Sequence, residues 1–291
     1  MTETDCFAAV RVPSSTSNLG AGFDCLGLAL DIWLRASIVV GDGPVVYGGT
    51  LADFDPTEDF TANALAASLP SGHHLEVSSD IPLSRGLGSS AAAIVAGYAL
   101  ARLAKKGKVD RNAVFNHAAG QEGHPDNAGP AVYGGLFLHA GVPKLLKFHP
   151  SLGVALAIPG KEISTHEARG LIPAHLPRGD AIGQASSSAA LLLGLTAGDG
   201  DLISHGMIDR IAVPVRKSLI QGYDEAVRAG MEAGAYGVTI SGAGSTLVAI
   251  CPREGTSDVA EAIAKSLTAS GNPAQPLSPD VAETGMEVLG Q

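Results

Sequence analysis

The sequence predicts an α+β fold. Segments with strand and helix patterns alternate along the 291 residues, but they do not repeat as the strand–helix–strand units of a parallel sheet. Apolar residues make up 45% of the chain and charged residues 16%, which indicates a sizeable core and argues against disorder. Near residue 150 a new buried strand pattern begins. We therefore expect two domains, residues 1–150 and residues 151–291.

The charge and the cysteine pattern exclude several classes of protein. The net charge is −10 without a long run of Lys and Arg, so nucleic acid is not an expected partner. Cys6, Cys25 and Cys251 lie far apart without the spacing of a zinc site, which indicates a reducing compartment. The acidic start of the chain is unlike a secretion signal, and the apolar runs are too short to span a membrane. We expect a cytoplasmic protein without a membrane partner.

The first half opens with strands around a polar stretch. Phe7–Val12 has a short strand pattern, and strand-like sequence resumes at Cys25. The connecting residues 13–24 are rich in Ser and Gly and are predicted to form a loop. Within it, Asn18 and Asp24 either hold local turns or supply binding groups, because polar loops that follow strands often carry function.

Three short elements lead to the stretch on which the functional interpretation depends. They are a strand at Val45–Tyr47, a helix at Asn63–Leu69 and a strand at Leu75–Ser79. The stretch itself, Pro82–Arg102, begins with a turn containing GLGSS and continues as a helix pattern, with either serine as its cap. Such a turn is either ordinary or a phosphate site, since free N–H groups and the helix dipole attract anions there.

A second cluster of polar residues follows a helix pattern at Arg111–Gly120, which Asp110 is expected to cap. The sequence QEGHPDNAGP contains, in order, Glu122, His124, Asp126 and Asn127. Alone, these are typical of a solvated charge, a structural histidine and a helix cap, but their density favours a site. If the glycine turn holds a triphosphate, Mg²⁺ needs hard oxygen ligands, and Ser90 and Glu122 are the candidates.

The second half alternates in the same way. Strand patterns lie at Leu152–Ile158, on both sides of a glycine turn within Tyr236–Cys251, and at Glu283–Leu289. Helix patterns begin at Ser164 or Thr165 and cover Arg178–Leu195, Tyr223–Ala233 and Asp258–Ser270; a strand at Tyr133–Ala140 closes the first half. Two arginines, Arg169 and Arg216, can bind a carboxylate, and Asp24 can hold a cation. Together they indicate a zwitterionic amino acid as the acceptor.

Five segments also follow one another in the order found in a known group of enzymes. They read PSSTSNLGAGFDCLGLAL, PLSRGLGSSAA, EGHPDNAGPAVYGG, STHEAR and GAYGVTISGAGSTLVA, and they extend from about Val10 to Cys251. With them the chain resembles the GHMP small-molecule kinases and, within that superfamily, the homoserine kinases. The resemblance implies an N-terminal domain like domain 2 of ribosomal protein S5 and a ferredoxin-like C-terminal domain. It also implies ATP-dependent phosphorylation of the side-chain hydroxyl of L-homoserine, in threonine biosynthesis, by a homodimer.

The resemblance implies a role for each segment. ATP would contact Asn63 and the glycine stretch, namely Pro82, Leu83, Ser84, Arg85, Gly86, Leu87, Gly88, Ser89, Ser90, Ala91 and Ala92. L-homoserine would contact Asn18, Asp24, His124, Arg169 and Arg216, and Mg²⁺ would be held by Ser90 and Glu122. The catalytic group would be Asn127, which binds the acceptor hydroxyl, Asp126 beside it, and Thr165, which faces the phosphate. Residues Ser241–Thr246 would form a supporting third glycine motif.

The chain departs from the family pattern at two places. Ser245 stands where the family usually has Pro, and Gln184–Ser188 replaces a stretch that often contains Asn and Arg. The helix at 178–195 is therefore expected to contribute less to the site. No proton-transfer role is assigned to Asp126, because positioning and Mg²⁺ can suffice. The alternatives are a GHMP kinase for another small hydroxyl acceptor, such as mevalonate or a sugar, and a relative that binds ligands without catalysis.

Overall fold

The computed structural model describes residues 6–53 and 60–290 and confirms the predicted α+β class. Its described strands are, in chain order, β1 (Cys6–Asn18), β2 (Gly22–Val40), β3 (Val46–Gly49), β4 (His73–Ser79), β5 (Leu136–His139), β6 (Pro143–Leu146), β7 (Leu152–Pro159), β8 (Gly237–Ile240), β9 (Leu247–Pro252), β10 (Ala274–Leu277) and β11 (Glu287–Leu289). Its described helices are α1 (Phe60–Leu65), α2 (Ser89–Lys106), α3 (Arg111–Glu122), α4 (Ala128–Tyr133), α5 (Thr165–Gly170), α6 (Arg178–Ala197), α7 (Gly200–Gly206), α8 (Val213–Arg216), α9 (Tyr223–Glu232) and α10 (Thr256–Ala269).

The described strands form two sheets. The first has the order β11-β1-β2-β4-β3, and β5 and β6 extend it from β2. Within it β3 and β4 are parallel, whereas the remaining pairs are antiparallel. The second sheet has the order β10-β7-β9-β8 and is antiparallel throughout. Helix α2 packs on β1 and β2, and α10 packs on β7, so each sheet carries a helical layer.

The first strand is longer than the sequence indicated. The prediction of a loop over residues 13–24 is wrong except at residues 19–21. Residues 13–18 continue β1 and pair with β2, with Ser15 opposite Ala29, and residues 22–24 begin β2. Partners on other segments satisfy the buried hydroxyl groups of Ser15 and Thr16. Ser15 Oγ donates to Asn127 Oδ1 at 2.9 Å, and Thr16 Oγ1 is hydrogen-bonded to Ser241 Oγ at 2.8 Å.

The last strand joins the first sheet. Glu283–Leu289 was predicted as a strand closing the second unit, and a strand does form at β11, but it pairs with β1, with Val10 opposite Val288. A further bridge joins Leu30 to Val281. A strand pattern does not specify its pairing partner, which is why the sequence placed it wrongly. The division into residues 1–150 and 151–291 stays a prediction, with this strand lying outside the unit to which it was assigned.

Helix α2 begins and ends at glycines. Gly88 stands at the N-cap with φ of 69°, and Gly107 follows the last residue with φ of 64°, so both ends use left-handed backbone. The prediction that Ser89 or Ser90 caps the helix is wrong, because both lie inside it. Asp110, in contrast, caps α3 as predicted by accepting bonds from two backbone N–H groups. The predicted strand at Tyr133–Ala140 is shorter, since α4 occupies its beginning and β5 starts at Leu136.

The two halves share a core through β7. Its residues alternate between two faces, as a strand dictates. Leu152, Val154 and Leu156 belong to the large core of the first half, whereas Ala155 and Ala157 belong to a second core with α9 and α10. β7 therefore connects the two cores that support the segments of the site described below. Within residues 6–53 and 60–290, the helices are too short or too polar to cross a membrane.

A matched pair of methionines tests the placement of the last strand. Met286 is 2% exposed, and its backbone N–H donates to the carbonyl of Ala131, whereas Met231 is 40% exposed. We expect Met286→Ala to lower the free energy of unfolding by about 2–5 kcal/mol and Met231→Ala by under about 0.5 kcal/mol, measured by urea denaturation. Equal effects would contradict a last strand that is part of the first core.

Candidate active site

The predicted phosphate site is a turn held by two distant segments of the chain. The backbone N–H of Ser15 on β1 donates to the carbonyl of Leu87 at 3.1 Å. From the glycine turn after β8, Thr246 donates its N–H to the carbonyl of Arg85, and Ser241 Oγ donates to the carbonyl of Gly86 at 2.6 Å. Helix α2 starts directly behind the turn, so the N–H groups of its first turn are directed at this site.

Glycine is required in this turn because other backbone comes very close. A Cβ atom on Gly86 would lie 2.1 Å from the carbonyl oxygen of Ser241, and one on Gly88 would lie 2.1 Å from Ser15 Oγ. Real Cβ atoms do not approach so closely, and both glycines also have positive φ, of 75° and 69°. The close packing therefore fixes the shape of the turn without side chains that would fill the phosphate site.

The side chain of Arg85 anchors the turn to the second half of the chain. Its Nε donates to the carbonyl of Pro159 at 2.8 Å, and its guanidinium also contacts the carbonyl of Gly160 and the carboxylate of Glu162. Because these partners occupy the guanidinium, its contribution to an anion site is through the position of the backbone. Contact of ATP with Arg85 and with its neighbours stays a prediction.

Ser90 and Glu122 meet as the sequence predicted. Ser90 Oγ, in the first turn of α2, donates to a carboxylate oxygen of Glu122 at the end of α3. Burial raises the pKa of Glu122 above its usual value, while the hydrogen bond from Ser90 and the positive charge of His124 oppose that rise. The pair presents two hard oxygen atoms next to the phosphate site, which is a donor set that suits Mg²⁺.

His124 and Asp126 form a buried pair nearby. His124 Nδ1 and Asp126 Oδ1 are directly hydrogen-bonded, and the side chains are 8% and 2% exposed. Burial lowers the pKa of His124, but the hydrogen bond and charge of Asp126 and the charge of Glu122 outweigh it, so the pKa lies above the usual value of 6.5. The Asp126 carboxylate is therefore engaged in holding a histidine that is readily protonated. Ligand atoms of Asp24, His124 and Asp126 lie within 4.8 Å of one another.

Asn18 and Asp24 flank a turn between β1 and β2 in left-handed backbone, with φ of 71° and 56°. Asn18 Oδ1 accepts the backbone N–H of Asp24 at 3.0 Å, and Asn18 Nδ2 donates to the carbonyl of Gly242 at 3.1 Å. The local turn and the binding role proposed for Asn18 are thus compatible. The Asp24 carboxylate receives two hydrogen bonds from Arg169, both at 2.9 Å.

Arg216 lies deeper than Arg169. It is 3% exposed, and its guanidinium donates to the carbonyls of Ala168 and Gly242 at 3.1 and 3.0 Å. Burial and the nearby charge of Arg169 lower its pKa, whereas the hydrogen bond to Asp24 raises that of Arg169. Both guanidinium groups lie over the ring of Phe23, with their central carbons 5.6 Å (Arg216) and 6.0 Å (Arg169) from the ring centre. The structure therefore brings the predicted acceptor residues together.

Two predicted residues are less well connected to this site. Asn63 is exposed on α1, and Thr165 is exposed at the first residue of α5. Across residues 6–53 and 60–290, neither makes a side-chain hydrogen bond to another predicted site residue. Their contacts with ATP and phosphate stay predictions.

Sequence reasoning missed a polar network on α6. Gln184 is buried, and its Nε2 donates to the carbonyl of Ala21 at 3.2 Å and to Asp209 Oδ1 at 3.0 Å. Asp209 in turn accepts three backbone N–H bonds at the start of α8, the helix that carries Arg216. The helix thus joins the turn before β2 to the segment before α8, and its smaller contribution to substrate binding stays a prediction. A lone Gln among Ala, Ser and Leu was the signal.

Comparisons with known proteins cover both halves of the chain. Residues 58–135 match the family "GHMP kinases N terminal domain", and residues 191–271 match "GHMP kinases C terminal". The homoserine kinase of Trichodesmium erythraeum is 39% identical over 258 residues, which cover 83% of this chain and 85% of that protein. The homoserine kinase of Synechococcus sp. (strain CC9605) is 38% identical over 282 residues, or 90% and 89%. The solved structure of homoserine kinase from Cytophaga hutchinsonii matches with a TM-score of 0.85, at 27% identity over 97% of each chain.

The pair of His124 and Asp126 gives a testable pH dependence. Because the pKa of His124 is raised in the folded chain, its protonation stabilises the fold fully below pH 6.5, and this stabilisation is lost as the pH rises through the raised value. We expect an NMR titration to place its midpoint above 6.5 in the unmodified chain and lower in Asp126→Asn, where burial dominates. The resonance is identified by its loss in His124→Gln. An unchanged midpoint in Asp126→Asn would contradict this account.

Proposed function

Because the chain belongs to the homoserine kinase family of the GHMP kinases, we propose that it transfers the γ-phosphoryl group of ATP to the side-chain hydroxyl of L-homoserine. The products are ADP and O-phospho-L-homoserine, in a step of threonine biosynthesis. One observation of this chain carries the proposal. A glycine turn at a helix start and a charged group suited to an amino acid, Asp24 with Arg169 and Arg216, both lie along the hairpin of β1 and β2. Ser15 of β1 donates to the glycine turn, and Asp24 lies at the start of β2.

ATP binds with its phosphates at the start of α2. The turn from Pro82 to Gly88 supplies backbone N–H groups, and Ser89 to Ala92 form the first turn of the helix. This arrangement binds anions through backbone groups rather than through lysines. It therefore suits a protein whose net charge is −10, in which a general positive field is not available.

Mg²⁺ accompanies ATP, held by Ser90 Oγ and the Glu122 carboxylate. The hydrogen bond between these groups shows that their oxygen atoms already lie side by side, and oxygen ligands are those that Mg²⁺ prefers. When bound, the ion neutralises charge on the phosphate oxygens. Burial raises the pKa of Glu122, whereas the hydrogen bond from Ser90 stabilises its carboxylate form.

The charged side chains of the acceptor site are complementary to the two charged groups of a zwitterion. The Asp24 carboxylate faces an ammonium group, and the guanidiniums of Arg169 and Arg216 face a carboxylate. In the free protein Asp24 and Arg169 pair with each other through two bonds, and both are partly exposed. A zwitterion offers each of them a partner of the right sign, so this pair can open toward the substrate at little electrostatic cost.

The chemical step needs positioning more than a covalent intermediate. The acceptor oxygen forms a bond to the γ-phosphorus, the bond from that phosphorus to the bridging oxygen breaks, and ADP leaves with the bridging oxygen. The hydroxyl proton passes to a phosphate oxygen or to water. Asn127 binds the acceptor hydroxyl, Thr165 faces the phosphate, and Asp126 holds His124 in place. The homodimer implied by the resemblance and the cytoplasmic location expected from the sequence stay predictions.

An acceptor panel tests the proposed function. Release of ADP from MgATP is measured with L-homoserine, mevalonate, galactose and 4-hydroxybutyrate, which has the hydroxyl and carboxylate of homoserine without its ammonium. We expect the highest kcat/KM with L-homoserine and a loss of about 10-fold or more with 4-hydroxybutyrate, because that acceptor offers Asp24 no ammonium group. Faster turnover of mevalonate or galactose would contradict the proposal. No turnover of any acceptor would favour a ligand-binding relative.

A pair of arginines tests the acceptor site. Arg169→Ala removes a charged hydrogen-bonding group worth about 1.5–3 kcal/mol, so KM for homoserine should rise about 10- to 150-fold. KM for ATP should stay within about 3-fold, because the phosphate site lies on other segments. Arg253→Ala is the matched control, since Arg253 pairs with Asp280 on the surface at 2.7 Å. An unchanged KM for homoserine in Arg169→Ala would contradict the assigned site.

Adjacent serines test the magnesium site. Ser90→Ala removes the hydroxyl that is bonded to Glu122, and we expect the Mg²⁺ concentration for half-maximal rate to rise at least about 10-fold. Ser89→Ala, at the preceding position of α2, should leave this Mg²⁺ requirement unchanged. The measurement is the initial rate as a function of free Mg²⁺ at saturating ATP. A larger effect of Ser89→Ala would contradict the assignment of Ser90.

A further inference from the structure

Ser15 stands where the phosphate turn, the first strand and the start of α4 meet. It is 0% exposed and lies in the part of β1 that was predicted from the sequence to be a loop. Its backbone N–H holds the carbonyl of Leu87, and its Oγ donates to Asn127 Oδ1 at 2.9 Å. One residue therefore contacts both the turn that precedes α2 and the residue that precedes α4.

Asn127 does not use its side chain in the way its position suggests. It stands at the N-cap of α4, where Asn commonly accepts a hydrogen bond from the helix backbone, but its side chain makes no such bond. Its Oδ1 instead accepts from Ser15. The helix is thus not the reason for the orientation of this amide.

Because an amide group is planar, this single hydrogen bond determines the orientation of the Asn127 side chain. Oδ1 and Nδ2 lie in one plane on opposite sides of the same carbon, so fixing Oδ1 on Ser15 also fixes the direction of the NH₂ group. Gly88 packs against the bonded end of the amide, because a Cβ there would lie 3.2 Å from Asn127 Oδ1 and 2.1 Å from Ser15 Oγ. The bond from Ser15 therefore selects Oδ1 as the end of the amide that faces the strand and the glycine turn.

We propose that Ser15 is a positioning residue for phosphoryl transfer: its hydroxyl fixes the Asn127 amide oxygen so that the amide NH₂ group is presented to the acceptor hydroxyl. The inference rests on the proposed function, because it assumes that Asn127 contacts the acceptor. The NH₂ group donates to a lone pair of the acceptor oxygen and leaves its proton directed elsewhere. Through its N–H bond to Leu87, Ser15 also ties this amide to the phosphate turn, so donor and acceptor are aligned by one residue.

The role predicts a change in turnover rather than in binding. The Asn127 amide of a Ser15→Ala variant keeps its place in the chain but loses the bond that fixes its rotation. A misoriented contact at the reacting atoms costs about 10- to 100-fold in rate, whereas ATP and the charged ends of homoserine are bound by other groups. We therefore expect kcat to fall by that factor and both KM values to change by less than about 3-fold.

Ser14→Ala is the matched control. Ser14 is the preceding residue of β1, is equally buried, and contacts only the backbone carbonyl of Leu30 through its Oγ, at 3.5 Å, among its hydrogen bonds in residues 6–53 and 60–290. Its removal perturbs the same strand but leaves Asn127 untouched, so kcat should be retained. If Ser15→Ala and Ser14→Ala lower kcat equally, Ser15 has only a structural role and the proposal is wrong.

A double-mutant cycle decides whether Ser15 acts through Asn127. The kcat of the unmodified chain, Ser15→Ala, Asn127→Ala and the double variant is measured with the acceptor that the unmodified chain turns over best, and thermal unfolding verifies each fold. We expect Ser15→Ala to reduce kcat when Asn127 is present. In the Asn127→Ala variant the same substitution should change kcat by less than about 2-fold. Equal reductions in both backgrounds would overturn the proposal. Absence of turnover by the unmodified chain with homoserine would instead reject the proposed function, so the two failures are distinct.

Discussion

The site depends on a close approach of backbone that only glycine permits. Gly86 lies against the carbonyl of Ser241, and Gly88 lies against the hydroxyl of Ser15, each too close for a Cβ atom. Because β1, the turn before α2 and the turn after β8 meet there, the halves of the chain are joined at the proposed phosphate site. The same contact places Asn127 beside the phosphate turn, since Ser15 holds its amide. The proposed phosphate site and acceptor site therefore depend on the same contacts of Ser15.

Charge is arranged locally rather than across the whole surface. A chain with net charge −10 gains no general attraction for ATP or for a carboxylate. In the proposed function, backbone N–H groups at the start of α2 bind the phosphates, and two arginines bind the acceptor. Arg216 is buried with backbone carbonyls as partners, whereas Arg169 is paired with Asp24 nearer to the surface. The exposed pair can therefore exchange partners when a zwitterion binds, while the buried arginine stays in place.

Residue types revealed more of the site than of the packing around it. The glycines of the phosphate turn, Ser90 and Glu122 were recognisable because their chemistry is local or familiar. Residues 13–18 were misread as a loop, since the hydroxyl groups of Ser15 and Thr16 are satisfied by distant partners, Asn127 and Ser241. Gln184 was undervalued for the same reason, and the last strand was misplaced because a strand pattern does not encode its neighbour. Long-range hydrogen bonds were what the sequence could not provide.

Two glycines at opposite ends of α2 provide the most direct test. Gly88 and Gly107 have similar left-handed φ, but a Cβ on Gly107 would meet open space, whereas one on Gly88 would collide with Ser15. The measurement is kcat/KM for ATP in homoserine-dependent ADP release by Gly88→Ala and Gly107→Ala. Both substitutions strain the backbone by about 1 kcal/mol. The account predicts a loss of about 100-fold or more for Gly88→Ala and near-normal activity for Gly107→Ala. Equal kcat/KM values in the two variants would contradict it.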